Sequence, residues 1–204
     1  ATRDIVMRRY LRRAERDDYE GHNPRAQRQW LLGRIAAKDL LRTHLWDEGT
    51  GDLYPGELVL RNDPDGRPTV AGPVPDGLTI SLAHTDGVGV AALHPSGPVG
   101  VDVELVEPRS ATFVATILTT AEQALAAPEG DDPDTWITRL WCAKEAAAKA
   151  AGTGLQGSPK TWEVTAVEGT DLLVGDRWVA TEVLRIPQPR DLAKEYVLAW
   201  TTEH

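Results

Sequence analysis

The order of hydrophobic periodicities along the 204 residues constrains the fold most, because helical and extended patterns alternate in two rounds. Helical spacing covers residues 4–16 and then residues 24–46. The second of these helices has a clear start, since Asn23 suits the cap position and Pro24 the first helical position. Short strand patterns bounded by turn residues follow over residues 56–105, so the first round predicts helices followed by a small sheet.

The second round repeats this order, with helical spacing over residues 118–152 and strand patterns over residues 161–203. We therefore predict an α+β fold with two pseudo-symmetric halves, each a small antiparallel sheet packed with a long helix, in one compact unit. We place the halves at residues 1–97 and 98–204, with the segment Pro95 to Pro98 as the joint. The sequence shows no residue-level repeat that would prove a duplication.

The composition excludes several classes of protein. The single cysteine, Cys142, cannot form an internal disulfide and suits a reducing compartment. No stretch approaches the roughly 18 apolar residues that a membrane helix needs, and the N-terminal residues lack an apolar signal segment, so we expect a cytoplasmic protein without membrane contact. The absence of a basic domain, of an aromatic stacking pattern and of zinc-ligand spacing argues against nucleic-acid binding, and the sequence contains neither a P-loop nor a nucleophilic triad.

The formal net charge of −9 is distributed unevenly along the chain. Residues 1–42 carry 11 lysines and arginines against 6 acidic residues, whereas residues 43–204 carry 11 against 25. A basic N-terminal segment on an acidic body indicates either a binding site for a local anionic ligand or a solvated, arginine-rich helix face. Charge alone leaves both interpretations open.

Two carboxylates lie close together in the predicted strand VGVDVEL. By the two-residue period of a strand, Asp102 and Glu104 share one face, while Val101, Val103 and Leu105 share the other. Carboxylates this close repel each other unless protons or a cation relieve them. The pair is therefore either the solvated face of an edge strand or half of a site for a hard cation such as Mg²⁺.

The segment WCAKEAAAKAAGTGL places Trp141, Glu145 and Lys149 on one face of a helix, at positions i, i+4 and i+8. The modest interpretation is an ordinary Glu–Lys pair on a helix surface. The other interpretation takes account of Lys144, which stands beside Glu145. A carboxylate flanked by two ammonium groups suits a metal ligand or a base with phosphate-binding neighbours.

Two further residues complete a set of four motifs between residues 66 and 155. His84 ends a strand just before the hairpin dipeptide Asp86-Gly87, and Arg67 is held between a glycine and a proline. In this order the motifs resemble the phosphopantetheinyl transferase superfamily, in its longer, surfactin-type branch of two halves. They stand here as Gly66-Arg67-Pro68, Ala83-His84-Thr85, Gly100-Val101-Asp102-Val103-Glu104, and Trp141 to Lys149 followed by Gly152-Thr153-Gly154-Leu155.

The resemblance implies an enzyme that transfers the phosphopantetheine arm of coenzyme A to a serine of an acyl carrier protein, with release of 3′,5′-ADP, in polyketide or fatty-acid-type biosynthesis. It implies that Asp102, Glu104 and Glu145 hold Mg²⁺, with Mn²⁺ as an alternative. Asp102, Glu145 and Lys149 would be the catalytic residues. In that scheme Glu145 deprotonates the serine, directly or through a metal-bound water, and Lys149 stabilises or protonates the departing oxygen.

The resemblance also implies a set of coenzyme A contacts. Lys144, Lys149 and His84 would contact its phosphates, and Arg67 would lie near the 3′-phosphate or the adenine. The family places basic residues before its first long helix on the 3′-phosphate, and the nearest matches here are Arg13 and Arg16. The sequence departs from the family's S-H-S strand end, where it has alanine and threonine in place of the two serines.

The helical segment WLLGRIAAKD, residues 30–39, resembles the transferase domains built into iterative polyketide synthases of the enediyne type. A chain with both halves is expected to act as a monomer, with higher assemblies left open. The alternative function is a non-catalytic docking module that binds coenzyme A or a carrier protein, and Ala83 favours it. The intact acidic residues and Lys149 argue against this alternative, because drift would erode costly buried charges first.

Overall fold

The structure is a computed structural model that describes residues 2–187 and 193–203. The chain forms two compact units, one up to Val99 and one from Gly100 onwards. The predicted joint, the segment Pro95 to Pro98, lies just before this division. Helices and small antiparallel sheets alternate along the chain, which confirms the predicted α+β fold class. None of the helices in the described ranges has the length and apolarity that a membrane crossing needs.

Over its described residues, 2–99, the first unit contains three α-helices and two separate antiparallel hairpins, in which β1 pairs with β2 and β3 with β4. The elements are α1 (Thr2–Tyr10), α2 (Arg13–Glu20), α3 (Pro24–Asp47), β1 (Val59–Asn62), β2 (Pro68–Ala71), β3 (Thr79–Thr85) and β4 (Val88–His94). The long helix begins where the sequence predicts, because the Asn23 side chain accepts hydrogen bonds from the backbone N–H groups of Arg25 and Ala26.

In the described part of the second unit, residues 100–187 and 193–203, five strands form an antiparallel sheet in the order β5-β9-β8-β7-β6, with β5 at one edge. Its elements are β5 (Val101–Leu105), α4 (Ala111–Ile117), α5 (Thr120–Gln123), α6 (Pro133–Ala151), β6 (Val164–Glu168), β7 (Asp171–Val174), β8 (Arg177–Ile186) and β9 (Lys194–Thr201). Alanines of α6 pack on this sheet, with Ala143, Ala146 and Ala147 fully buried against Val197 and Ala199 of β9. Their small side chains allow the helix and the sheet to approach closely.

The first helical pattern, over residues 4–16, is two helices rather than one. The buried Glu15 caps the start of the second helix, since its Oε2 accepts the backbone N–H of Arg12 at 3.0 Å. The same carboxylate pairs with the fully buried Lys38 of α3 at 2.7 Å and accepts the backbone N–H of Leu60 in β1 at 3.2 Å. Lys38 in turn donates to the carbonyl oxygen of Tyr10 at 2.6 Å, so one ion pair joins three helices and a strand.

The same arrangement recurs in the second unit. Glu122 caps α5 by accepting the backbone N–H of Thr119 at 2.7 Å, and it accepts the backbone N–H of Val164 in β6 at 2.8 Å. Its buried partner is Lys144 of α6, at 2.7 Å, which also donates to the carbonyl oxygen of Ile117 at 2.8 Å. This shared pair is a residue-level correspondence between the two units that the sequence alone does not reveal.

Candidate active site

Strand register turns the two carboxylates of β5 towards helix α6. Asp102 lies opposite Ala199 of β9, and Glu104 lies opposite Val197. Residues directly opposite each other in an antiparallel pair share a face, and these two partners belong to the core that α6 covers. The carboxylates therefore face the helix, and Asp102 is only 6% exposed. A solvated edge-strand face does not describe this pair.

Gly100 allows β5 to lie this close to α6. A Cβ atom added at Gly100 would stand 1.8 Å from the carbonyl oxygen of Ala146 and 2.8 Å from the backbone nitrogen of Ala150. Only a residue without a side chain fits there. The first residue of the G-V-D-V-E motif must therefore be glycine for a steric reason, because the acidic strand β5 approaches α6 closely at this position.

Replacing Gly100 with alanine is expected to lower the free energy of unfolding by about 1–3 kcal/mol or more, because the helix backbone must move away from the added methyl group. Chemical unfolding followed by circular dichroism measures the loss. Gly56→Ala is the matched control, since the nearest atom to its added Cβ, the carbonyl oxygen of Arg9, is 4.0 Å away. Equal losses in the two variants would contradict the steric explanation.

An ion pair joins the helix to the strand. Lys149 donates from Nζ to Oδ1 of Asp102 at 2.7 Å and to the carbonyl oxygen of Val101 at 3.1 Å. The other carboxylate oxygen of Asp102, Oδ2, is buried and has no hydrogen-bond partner among the described residues. A buried acceptor without a partner is costly. This oxygen fits an oxygen-binding hard cation, which would supply the missing partner.

Two glutamates complete the acidic cluster, defined here as Asp102, Glu104 and Glu145. Burial raises the pKa of both glutamates, and the charge of Asp102 raises each of them further. The Trp141 indole donates to Glu104 Oε1 at 3.3 Å, whereas the carboxylate of Glu145 makes no hydrogen bond within the described part of the chain. The helix face predicted from the i, i+4, i+8 spacing thus meets the acidic strand.

The acidic cluster is not yet a closed metal site. Within residues 2–187 and 193–203, no three histidine, cysteine or acidic side chains are gathered closely enough to hold a metal ion as they stand. The oxygen-only donor set, the raised glutamate pKa values and the unpartnered oxygen of Asp102 fit a divalent cation. The carboxylates would have to move closer together to bind it.

Lys144 does not fit the predicted contact with coenzyme A. Its ammonium group is fully buried, pairs with Glu122, and donates to the carbonyl oxygens of Ile117 and Pro159 at 2.8 and 3.2 Å. An ammonium group has three donors, and these oxygens occupy them. Lys144 therefore belongs to the framework of the second unit, and we leave it out of the proposed coenzyme site.

The predicted basic contacts of the first unit lie on different elements. Arg13 is the first residue of α2 and is exposed. Arg16 is one turn further along, and its guanidinium donates to the carbonyl oxygens of Leu11 and Arg8 at 3.0 and 2.9 Å. These bonds tie α2 to the end of α1, so Arg16 has a structural role that Arg13 does not share.

Arg67 and His84 are both exposed in the first unit. Arg67 follows the β1–β2 turn, where Gly66 has a φ of +85° and the Asp63 side chain accepts the backbone N–H of Arg67 at 2.9 Å. His84 is in β3, next to α3, since a Cβ added at Gly33 would lie 3.5 Å from its Cδ2. Both residues are therefore exposed, and their contact with coenzyme A stays a prediction.

Sequence reasoning overlooked Arg34, a buried cation in α3. Its guanidinium lies 4.5 Å from the centroid of the Trp30 ring and donates to Asn62 Oδ1 at 3.2 Å. Burial lowers its pKa, and its Nε atom has no hydrogen-bond partner in the described ranges. The available signal was an arginine one helical turn from both Trp30 and Lys38, on the face of α3 that also carries the apolar Leu31, Ala37 and Leu41.

A comparison with known protein families agrees with this geometry. The family model of the 4′-phosphopantetheinyl transferase superfamily matches residues 98–201. The chain belongs to this superfamily. The matched region contains the acidic cluster and Lys149, whereas Arg13, Arg16, Arg67 and His84 precede it.

Two curated transferases are similar to the chain over a longer stretch. A protein of Synechocystis sp., provisionally named a 4′-phosphopantetheinyl transferase, is 28% identical over 137 residues, which are 66% of this chain and 53% of that protein. A phosphopantetheinyl transferase of Thraustochytrium sp. is 28% identical over 141 residues, which are 59% of this chain and 46% of that protein. The chain thus spans about half the length of the curated relatives it matches.

Proposed function

We propose that the chain is a 4′-phosphopantetheinyl transferase, which moves phosphopantetheine from coenzyme A to a serine of an acyl carrier protein. The observation that carries this proposal is the buried, unpartnered Oδ2 of Asp102, set beside Lys149 and two glutamates of raised pKa. The three carboxylates offer oxygen ligands for a cation, Glu145 can act as a base, and Lys149 can act as an acid. Membership of the transferase superfamily supports this chemistry.

In the proposed reaction the hydroxyl oxygen of the serine attacks the β-phosphorus of the coenzyme A pyrophosphate. A new phosphorus–oxygen bond forms to the serine, and the bond from that phosphorus to the oxygen of 3′,5′-ADP breaks. The serine loses a proton, and the departing oxygen gains a positive partner or a proton. The chain must therefore supply a proton acceptor on one side of the phosphorus and a cation on the other.

Glu145 is the proposed proton acceptor, because a raised pKa brings a carboxylate closer to the working pH of a base. Lys149 is the proposed cation for the departing oxygen, and its ion pair with Asp102 holds it in place. Asp102, Glu104 and Glu145 would hold Mg²⁺, which when bound neutralises phosphate charge and polarises a phosphate oxygen. The acidic cluster provides the oxygen ligands that this ion prefers.

Arg67, His84 and Arg13 are the proposed coenzyme A contacts of the first unit, since all three are exposed cations or polar groups. Replacing Arg67 with alanine is expected to raise the KM for coenzyme A about tenfold with a smaller change in kcat, because a charge-assisted contact to bound phosphate is lost. Steady-state kinetics measures the split. Arg61→Ala, at an exposed position of β1, is the control. An unchanged KM would remove Arg67 from the coenzyme site.

Two measurements separate the enzyme from the alternative docking module. Calorimetric titration of the chain with coenzyme A tests binding, and chromatography of 3′,5′-ADP formed with an apo carrier protein tests turnover. We expect both binding and carrier-dependent release of 3′,5′-ADP. Binding without release across several carrier proteins would favour the docking module. Absence of coenzyme A binding would contradict the enzyme and leave only a module that docks a carrier protein.

The setting of the reaction is also part of the proposal. The resemblance of residues 30–39 to transferase domains of iterative polyketide synthases supports a carrier protein of polyketide or fatty-acid-type biosynthesis. We propose a monomer that acts in the cytoplasm. If the carrier is tethered to the same polypeptide, its high effective concentration would make long-range electrostatic attraction to this acidic chain unnecessary.

A further inference from the structure

Glu104 is anchored on both carboxylate oxygens, unlike the other glutamate of the acidic cluster. Trp141 of α6 donates to Oε1 at 3.3 Å, and the Nη2 atom of Arg109 lies 3.7 Å from Oε2. The guanidinium of Arg109 is shared with a second carboxylate, since its Nη1 atom lies 3.1 Å from Oε1 of Glu107. Arg109 directly precedes α4, whose cap is Ser110, and it also donates to the carbonyl oxygen of Leu105 at 3.4 Å. The chain thus folds back on β5 to bring a cation to one of its carboxylates.

An aromatic side chain joins these two anchors. The Arg109 guanidinium lies 5.2 Å from the ring centroid of Phe113 in α4, and the Phe113 ring meets the Trp141 ring edge to face, with centroids 5.5 Å apart. Arg109 and Glu104 are also only partly exposed, at 18% and 29% of their side chains. Cation–π and edge-to-face contacts each stabilise such a group modestly. We call Arg109, Phe113 and Trp141 the Glu104 clamp.

The Glu104 clamp also affects the electrostatic balance of the acidic cluster. Asp102, Glu104 and Glu145 carry three negative charges when ionised, and Lys149 and Arg109 bring two positive charges to two of them. A divalent cation that binds Glu104 therefore meets a positive charge already bound there. Both attract the same carboxylate and repel each other.

We propose that the Glu104 clamp holds this carboxylate as a positioned ligand, and that Arg109 is the resident cation with which a divalent metal ion competes for it. The inference rests on the proposed metal-dependent transfer. Trp141 and Arg109 are positioning residues with opposite effects on metal affinity. The neutral indole of Trp141 holds the Glu104 carboxylate in position without repelling a cation. The guanidinium of Arg109 also holds this carboxylate, but its positive charge repels the incoming metal ion.

Titration of the full chain with Mn²⁺ alone, followed by electron paramagnetic resonance of the free ion, tests this inference without turnover. Arg109→Gln is expected to lower the Kd for Mn²⁺ by about threefold or more, because the competing charge is gone. Trp141→Phe is expected to raise this Kd by about threefold, because one hydrogen bond to the ligand is lost. Arg109→Lys keeps the charge and is expected to return the Kd towards that of the unmodified chain.

Arg177→Gln is the matched control, since it removes a partly exposed arginine of the same unit from the start of β8. An equal gain in Mn²⁺ affinity in this control would show a general effect of net charge and overturn the inference. Weaker or unchanged binding in Arg109→Gln would also overturn it, since a purely structural role predicts that outcome. The variant Asp102→Asn tests the metal site itself. If the unmodified chain binds no Mn²⁺, or if Asp102→Asn binds Mn²⁺ equally well, the proposed metal site is overturned, and the inference with it.

Discussion

Replacement of Glu145 with glutamine is expected to lower the rate of phosphopantetheine transfer by about 10²–10⁴-fold, which is the usual contribution of a positioned base. The substitution keeps the shape of the side chain and removes its ability to take the serine proton. It also removes one of the three negative charges of the acidic cluster. Glu168→Gln, at an exposed position of β6, is the control and should transfer normally. Near-normal turnover of Glu145→Gln would remove this residue as base and as metal ligand.

The same substitution should make the metal-free protein more stable at neutral pH. The pKa of Glu145 is raised by burial and by the charge of Asp102, so between the ordinary carboxyl pKa and the raised one the folded protein binds more protons than the unfolded chain. The free energy of unfolding therefore falls as the pH rises through this window. Glutamine removes that loss, so a rise in Tm is expected at neutral pH, and this rise should vanish below the ordinary carboxyl pKa. Thermal unfolding in EDTA at two pH values measures it, and a lower Tm at neutral pH would contradict the account.

Replacement of Lys144 with methionine is expected to lower the free energy of unfolding by about 3–5 kcal/mol, because it leaves the fully buried carboxylate of Glu122 without its cation. The double variant Lys144→Met with Glu122→Gln is expected to recover part of this loss, since no unpaired charge then remains buried. Urea unfolding of the two variants and the unmodified chain gives the free energies.

The kinetics of the Lys144 variant decide between a framework role and a coenzyme contact. At a temperature where the variant is folded, its KM for coenzyme A should stay near that of the unmodified chain. A KM raised tenfold or more with little loss of stability would restore Lys144 as a phosphate contact. Arg67→Ala provides the opposite reference, since it should change the KM and leave stability intact.

Local sequence signals were sufficient to predict several elements of the fold. Asn23 and Pro24 set the start of α3, and the period-two pattern put Asp102 and Glu104 on one face of β5. These features depend on residues near in sequence, so capping and periodicity suffice to predict them. The direction in which that strand face points depends instead on the pairing of β5 with β9, about a hundred residues away. The sequence left open whether this face is solvated.

The features that the sequence did not predict depend on distant partners. Lys144 looks like a surface neighbour of Glu145, and only the fold of α5 and β6 around it makes it a buried framework cation. Arg109 lies in a segment without periodicity, and it reaches Glu104 because the chain turns back before α4. The short helix α4 was also overlooked, although Ser110 supplies a local cap signal at its start. Such contacts follow from tertiary packing rather than from local propensity.

The most direct test of the proposed transfer is intact-mass spectrometry of an apo acyl carrier protein after incubation with the chain, coenzyme A and Mg²⁺, with and without EDTA. A mass gain of one phosphopantetheine group that disappears with EDTA, and that is lost in Asp102→Asn, is the result we predict. No gain across several carrier proteins, although the chain binds coenzyme A, would contradict catalysis and support the docking module.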